Sequence, residues 1–150
     1  MIEQSKKETD YRLITEKLDD YLFNLPKKVI AIDGLDGAGK TTLGRFLACR
    51  YNISLIETDL FIKSKDENFA YDEENISRII HKRLESVRPV IIEGIKLLEL
   101  LERIKFPHDF LIHLKNDNYD GSYTLAETLR SYTERYNPEQ QADIKLKLNH

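Results

Sequence analysis

The sequence predicts an α/β fold, a five-stranded parallel sheet with helices on both faces. Three observations predict it. Short apolar, β-branched runs alternate five times with segments of helical spacing. The first run, Val29-Ile30-Ala31-Ile32, is apolar at every position, as a strand buried on both faces requires. Four of the six glycines, Gly34, Gly37, Gly39 and Gly44, fall between that run and the next helical segment or within its first turns.

The elements follow in order. From Lys6 to Leu25, apolar residues recur at Tyr11, Ile14, Leu18, Tyr21, Leu22 and Leu25, which predicts a leading amphipathic helix ended by Pro26. The first strand, Val29–Ile32, leads through the glycine cluster into a helix over Thr41–Tyr51, with Leu43, Phe46 and Leu47 on one face. Ile53–Glu57 reads as the second strand and Phe61–Asp72 as a loop. Glu73–Val87 carries a stripe of Ile76, Ile79, Ile80, Leu84 and Val87 and reads as a helix. Pro89–Glu93 is the third strand, with proline at the first position, where a strand tolerates it. A leucine-rich helix over Ile95–Ile104 and a fourth strand over Asp109–Leu114 come next. Leu125, Leu129, Tyr132 and Tyr136 mark the last helix, and the alternation of Ile144, Leu146 and Leu148 places the fifth strand at Ala142–Leu148.

The chain has 150 residues and no composition break, so one domain over 1–150 is expected, with the leading helix over 1–25 and the core over 28–148. A domain of this size buries roughly 70% of its unfolded surface. A content of 41% hydrophobic and 33% charged residues excludes a disordered chain. The net charge of −3 argues against a broad nucleic-acid footprint. No apolar run approaches membrane-spanning length, and Met1–Asp10 lacks an apolar signal core. Cys49 is the sole cysteine and reads as packing on its helix; with no internal disulfide available, a cytoplasmic location is expected. His81, His108, His113 and His150 show no metal-ligand spacing, and His81 falls on the charged side of its helix.

Gly34-Leu35-Asp36-Gly37-Ala38-Gly39-Lys40-Thr41 matches G-x-x-x-x-G-K-[ST] in full, between a predicted strand and a predicted helix. The chemistry explains the residue types. Glycines let the backbone turn and approach an anion closely. The exposed N–H groups then form an anion nest at a helix start. Lys40 reaches the β and γ phosphates, and the Thr41 hydroxyl coordinates Mg²⁺. The expected nucleotide-binding set is Gly34, Asp36, Gly37, Ala38, Gly39, Lys40, Thr41 and Thr42. Asp33 flanks the loop, where a contact to metal-bound water and simple loop polarity explain it equally. A GTPase would carry D-x-x-G after the third strand and N-K-x-D for guanine; here Ile92-Glu93-Gly94 stands at the first place and N-K-x-D is absent. A small kinase fits best.

Val29–Leu47, VIAIDGLDGAGKTTLGRFL, resembles the opening of uridine kinase-like P-loop kinases. The resemblance continues loosely over residues 28–148. Thr58-Asp59-Leu60-Phe61 is similar to the family's Asp-x-Phe motif, and Tyr71-Asp72 to its aromatic–Asp pair. Val90–Ile95 matches its apolar run plus Glu-Gly-Ile, while Arg135-Tyr136 and Ala142-Asp143 stand where it has an Arg-Tyr…Ala-Asp segment. The glycine loop alone also resembles thymidylate kinases, whose Asp-Arg pair after the third strand is absent here.

The family resemblance implies a three-layer P-loop NTPase fold of sheet order 2-3-1-4-5, with the N-terminal helix as an addition that packs on the domain or serves self-association. It implies ATP and Mg²⁺ as cofactors and transfer of a phosphoryl group to a hydroxyl of a small, nucleoside-like acceptor. Asp59 would orient and deprotonate that hydroxyl, Lys40 would hold phosphates, and Glu93 with Thr41 would place the metal. Phe61, Lys63 and Tyr71 are candidates for the acceptor pocket. Arg130 and Arg135 are candidates for a lid, although the polar turn Asn116–Ser122 is shorter than the family's arginine-rich lid. Two other readings stay open: a nucleotide-binding module or weak ATPase with a degenerate lid, and a phosphotransferase acting on a larger acceptor.

Overall fold

The computed structural model describes residues 11–65, 69–118 and 121–148. At its centre is a five-stranded, all-parallel sheet built on β1 (Val29–Gly34). β1 lies between β5 (Val90–Gly94) and β6 (Phe110–Asn116), pairing Ala31 with both Ile92 and Leu111. β2 (Ser54–Glu57) pairs with β5, and β7 (Ile144–Leu148) pairs with β6. The order β2-β5-β1-β6-β7 is 2-3-1-4-5 when only the strands of this sheet are counted, as the resemblance implies. Every residue of β1 and β5 is buried, which is why both read as unbroken apolar runs up to their C-terminal polar residues.

Alternation along β1 divides the core. Ile30 and Ile32 point to the face covered by α1 (Arg12–Tyr21) and α2 (Lys40–Tyr51), where they meet Ile14, Leu18, Leu43 and Leu47. Val29 and Ala31 point to the opposite face, covered by α3 (Glu73–Leu84), α4 (Leu97–Arg103) and α5 (Ala126–Tyr136). Each of these fully buried Leu and Ile side chains contributes roughly 1.5–3 kcal/mol of transfer free energy. Two features tune the packing. Gly44 brings α2 against β2, since a Cβ there would stand 2.9 Å from Leu55 Cδ1. Asp72 caps α3, its carboxylate accepting from the Asn75 backbone N–H at 3.2 Å.

The leading helix packs on the domain. Asp19 accepts from the Arg50 guanidinium at 3.0 Å and from the Tyr51 hydroxyl at 2.7 Å. Tyr21 donates to the Asp109 carbonyl at 3.2 Å and stands 5.0 Å from the Phe110 ring. The Lys6–Asp10 part of the expected helix lies outside the described residues. Its C-terminal limit is corrected: the helix ends at Tyr21, not at Pro26, because Asn24 and Leu25 turn the chain at positive φ.

The expected loop over Phe61–Asp72 is also corrected. A single turn of 3-10 helix over Thr58–Phe61 runs into β3 (Ile62–Ser64), which pairs antiparallel with β4 (Ala70–Tyr71). Strands of three and two residues are too short to show a period. The helix expected over Glu73–Val87 stops at Leu84, and Val87 turns at positive φ. A short helix not foreseen, α6 (Pro138–Gln141), follows a left-handed Asn137, with proline at a first-turn position that needs no N–H. Cys49 is exposed rather than packed. His81 is exposed as expected, with its ring 4.5 Å from that of Phe106. No helix among the described residues is long and apolar enough to cross a membrane.

Candidate active site

The site is assembled where strands end. β1 delivers the glycine loop at its C-terminal edge, and β2 and β5 deliver a carboxylate each beside it, the position at which open α/β sheets place ligands. Gly37 and Gly39 hold φ of 77° and 97°, conformations that a side chain would strain, so the loop closes and α2 starts at Lys40.

Lys40 is only 6% exposed, and its Nζ donates to the Leu35 carbonyl at 2.6 Å. The ammonium is thus folded across its own loop. Burial lowers its proton affinity, while the carboxylates of Glu93, Asp33, Asp36 and Asp59 oppose that loss. Thr41 donates through Oγ1 to Glu93 Oε1 at 2.9 Å, joining the first turn of α2 to the end of β5. Glu93 is buried, which pushes its carboxyl above the usual range; the Thr41 hydroxyl and the Lys40 charge pull it back.

A cleft of about 410 Å³ opens over this group. It brings together Asp36, Gly37, Lys40, Thr41, Asp59, Tyr71 and Glu93, seven of the residues singled out from sequence. Asp59 stands exposed on the 3-10 turn after β2 and lines the same cleft as Lys40, Thr41 and Glu93. Gly39 caps α2 and Thr42 is exposed on its first turn. Gly34 and Ala38 instead border a second, largely apolar cavity of about 190 Å³ on the far side of the loop.

The remaining candidates lie elsewhere. Phe61 is half-buried and packs on the core beneath α3. Lys63 is exposed on β3, outside the cleft. Arg130 and Arg135 are exposed on α5 and outside the cleft, with the Arg135 guanidinium 5.4 Å from the Tyr136 ring centre. In place of an arginine lid, the strap over 121–125 passes across the loop. Asp36 Oδ2 accepts from the Ser122 N–H at 2.8 Å, and a Cβ on Gly121 would stand 2.8 Å from Asp36 Oδ1. Ser122, Thr124 and Leu125 line the cleft from this side, and Ile62 and Lys65 from the β3–β4 side. Sequence reasoning missed these five; Lys65, a cation two residues past the Lys63 that was singled out, gave the strongest signal.

Asp33 faces away from the cleft. It is 1% exposed, accepts from the Gly34 N–H at 2.9 Å and from the Tyr132 hydroxyl at 2.5 Å, and that hydroxyl accepts from the Leu98 N–H at 3.1 Å. Burial lifts its carboxyl to about 6, the Tyr132 and Gly34 hydrogen bonds working against the rise. The native state therefore holds a proton that the unfolded chain releases near 3.8, and stability falls as pH rises from about 4 to 6. The shift corresponds to about 3 kcal/mol at neutral pH. Asp33→Asn is expected to flatten the dependence of Tm on pH across that window, with Glu93 leaving a smaller slope of the same sign. Thermal melts of parent and variant between pH 4 and 7 check this; parallel curves would exclude Asp33 as the source.

No protein-family model matches the chain. A shikimate kinase from Azobacteroides pseudotrichonymphae genomovar. CFP2 is 41% identical over 64 residues, which is 39% of this chain and 38% of that protein, so the chain matches well under half of its relative's length. Among solved structures, a possible uridine kinase from Bacillus stearothermophilus superposes with a TM-score of 0.57 at 19% identity, over 81% of this chain and 89% of that one. A sugar kinase from Janibacter sp. HTCC2649 superposes with a TM-score of 0.55 at 15% identity, over 83% and 86%. At these identities the shared property is the fold, a five-stranded parallel sheet with helices on both faces.

Proposed function

We propose that the chain catalyses ATP- and Mg²⁺-dependent transfer of a phosphoryl group to a hydroxyl of a small molecule. The observation that carries this reading is the convergence of Lys40, Thr41, Glu93 and Asp59 on one cleft, from three different strand ends. Similarity to a shikimate kinase, a possible uridine kinase and a sugar kinase supports it.

The glycine loop would take the triphosphate, its N–H groups and Lys40 facing the β and γ oxygens. To do so the Lys40 ammonium swings from the Leu35 carbonyl to phosphate, exchanging a neutral acceptor for a charged one. The donor set fits Mg²⁺: a hydroxyl and a carboxylate oxygen 2.9 Å apart, all oxygen and few in number, suit an ion that keeps waters and leans on phosphates. When bound, Mg²⁺ supplies positive charge that offsets the charge on the transferring group. Thr41 would ligate directly and Glu93 through water.

Asp59 is placed in this reading to orient the acceptor. The hydroxyl oxygen forms the new bond to the γ phosphorus as the bond to the β,γ-bridging oxygen breaks. ADP leaves with that electron pair, and the hydroxyl proton passes to the Asp59 carboxylate. Cleft size and lining favour a compact acceptor: Ile62, Ile95, Leu125 and Tyr71 supply apolar walls, with Lys65 at the rim. A nucleoside, a sugar and a cyclic hydroxy acid of the shikimate kind are the acceptors to compare.

One observation favours a second reading, a nucleotide-binding module that hydrolyses slowly: both lid arginine candidates, Arg130 and Arg135, stand outside the cleft. An assay for ADP and phosphorylated product, with Mg²⁺, ATP and panels of nucleosides, shikimate and hexoses, separates the two. The kinase reading expects one acceptor class to raise ADP release well above the acceptor-free rate. A rate that no acceptor changes sinks it. Asp59→Asn is expected to cost about 10²- to 10⁴-fold in kcat while nucleotide affinity holds.

A further inference from the structure

From the sequence, Tyr71 is a candidate for the acceptor pocket. The structure gives its hydroxyl another task. Tyr71 is buried on β4, and its hydroxyl donates to the Ile95 carbonyl at 2.7 Å while accepting from Thr58 Oγ1 at 3.0 Å. Thr58 is fully buried and immediately precedes Asp59. Ile95 follows Glu93 and Gly94 at the end of β5. A single hydroxyl therefore bridges the two strand ends that carry the carboxylates.

The surroundings hold that bridge in one geometry. Gly94 presses so closely that a Cβ on it would stand 1.8 Å from Thr58 Oγ1 and 3.1 Å from the Tyr71 hydroxyl oxygen. The Phe69 ring meets the Tyr71 ring edge-on at 5.0 Å, and the pairing of Ile62 with Tyr71 ties the β4 backbone to β3. Burial and the neighbouring Asp33, Glu93 and Asp59 carboxylates push the phenol up, so it stays protonated and keeps donating. β2 and β5 are themselves hydrogen-bonded only as far as Glu57 and Glu93. Beyond those residues, the Thr58–Tyr71–Ile95 chain continues the tie that the sheet has stopped making.

We propose that the Tyr71 hydroxyl is a positioning residue that sets the placement of Asp59 relative to Glu93, through Thr58 on one side and the Ile95 carbonyl on the other. The proposal rests on the phosphoryl-transfer reading for its kinetic consequence. In that reading, Glu93 fixes the metal and Asp59 the acceptor, so their relative placement sets the alignment of attack. A misplacement of about 1 Å in such a site costs on the order of 10²-fold in rate.

Tyr71→Phe keeps the ring and its packing and removes the bridge. It is expected to lower kcat by about 10²-fold while KM for MgATP rises only severalfold, in a protein whose circular dichroism is that of the parent. Thr58→Val should reproduce the loss, the double variant should be no worse than either single, and Thr58→Ser, which retains the donor, should restore parent kinetics. An unchanged kcat in Tyr71→Phe, or additive losses in the double variant, overturns the proposal. A purely structural role would lower Tm and leave kcat below the melting range untouched. A second measurement does not depend on turnover: Mn²⁺ affinity in the presence of a non-hydrolysable ATP analogue. Tyr71→Phe should weaken it severalfold as Glu93 drifts, and equal affinity in parent and variant overturns the proposal. A parent that turns over no acceptor, yet loses Mn²⁺ affinity in Tyr71→Phe, would end the kinase reading and leave the positioning role standing.

Discussion

Lys40→Ala is expected to reduce turnover by about 10³-fold or more and to remove measurable MgATP binding. The size of the effect follows from where the ammonium sits. Lys40 is buried at the start of α2, and Glu93, Asp33, Asp36 and Asp59 all support its charge. Alanine would leave a cleft bordered by carboxylates, and a triphosphate entering it would meet repulsion with backbone N–H groups and the rim cation Lys65 in compensation. Arginine is not expected to rescue, because a planar fork cannot fold back onto the Leu35 carbonyl as the point-like ammonium does. Titration with a fluorescent ATP analogue, together with ADP release, measures both effects. Parent-like affinity in the alanine variant would show that the loop does not cradle phosphate.

The largest effect on stability is expected at Gly94, at the C-terminal end of a strand paired on both sides. A methyl group there would lie 1.8 Å from Thr58 Oγ1 and 3.1 Å from Thr58 Cβ, and Thr58 is fully buried. Gly94→Ala must therefore push β2 from β5 or eject the Thr58 side chain. The expected cost is about 3 kcal/mol or more, a fall in Tm of roughly 6–12 °C. Gly44→Ala is the control. There the added Cβ meets Leu55 Cδ1 at 2.9 Å, the far end of a flexible side chain, and a smaller loss is expected. Equal melting temperatures for Gly94→Ala and the parent would contradict the close approach.

What the sequence disclosed depended on how locally each feature is encoded. β1 and β5 were legible because burial on both faces demands unbroken apolar runs, and β7 because its alternation marks one buried face. The phosphate loop was legible because all its parts are contiguous, from Gly34 to Thr41. The rest of the cleft, the proposed acceptor side, was legible only at Asp59 and Tyr71. Ile62, Lys65 and Leu125 join them from the β3–β4 side and the strap, and no period links these residues. Tyr71 shows the difficulty most clearly: an aromatic before a helix reads as a ring, while the part that matters is a hydroxyl whose partners are 13 and 24 residues away. The burial of Asp33 was equally hidden, because its partner Tyr132 lies 99 residues on and also belongs to a helical stripe that reads as core. Exposure of Cys49 was missed for the opposite reason, since the residue type favours burial and the face of α2 it occupies is open.

The docking of α1 has a consequence for the order in which the chain can mature. As the polypeptide leaves the ribosome, α1 emerges well before β6 and β7, on which its apolar stripe partly rests. Lys17 reaches the Asp143 carbonyl across 126 residues of chain, and Tyr21 reaches Asp109 across 88. Until those strands arrive, α1 and α2 have one another and Ile30, Ile32 and Ile91 of β1 and β5 for cover. Synthesis thus carries a period in which apolar surface on one side of the nascent sheet stands open, and the final strand both completes the sheet and closes that interval.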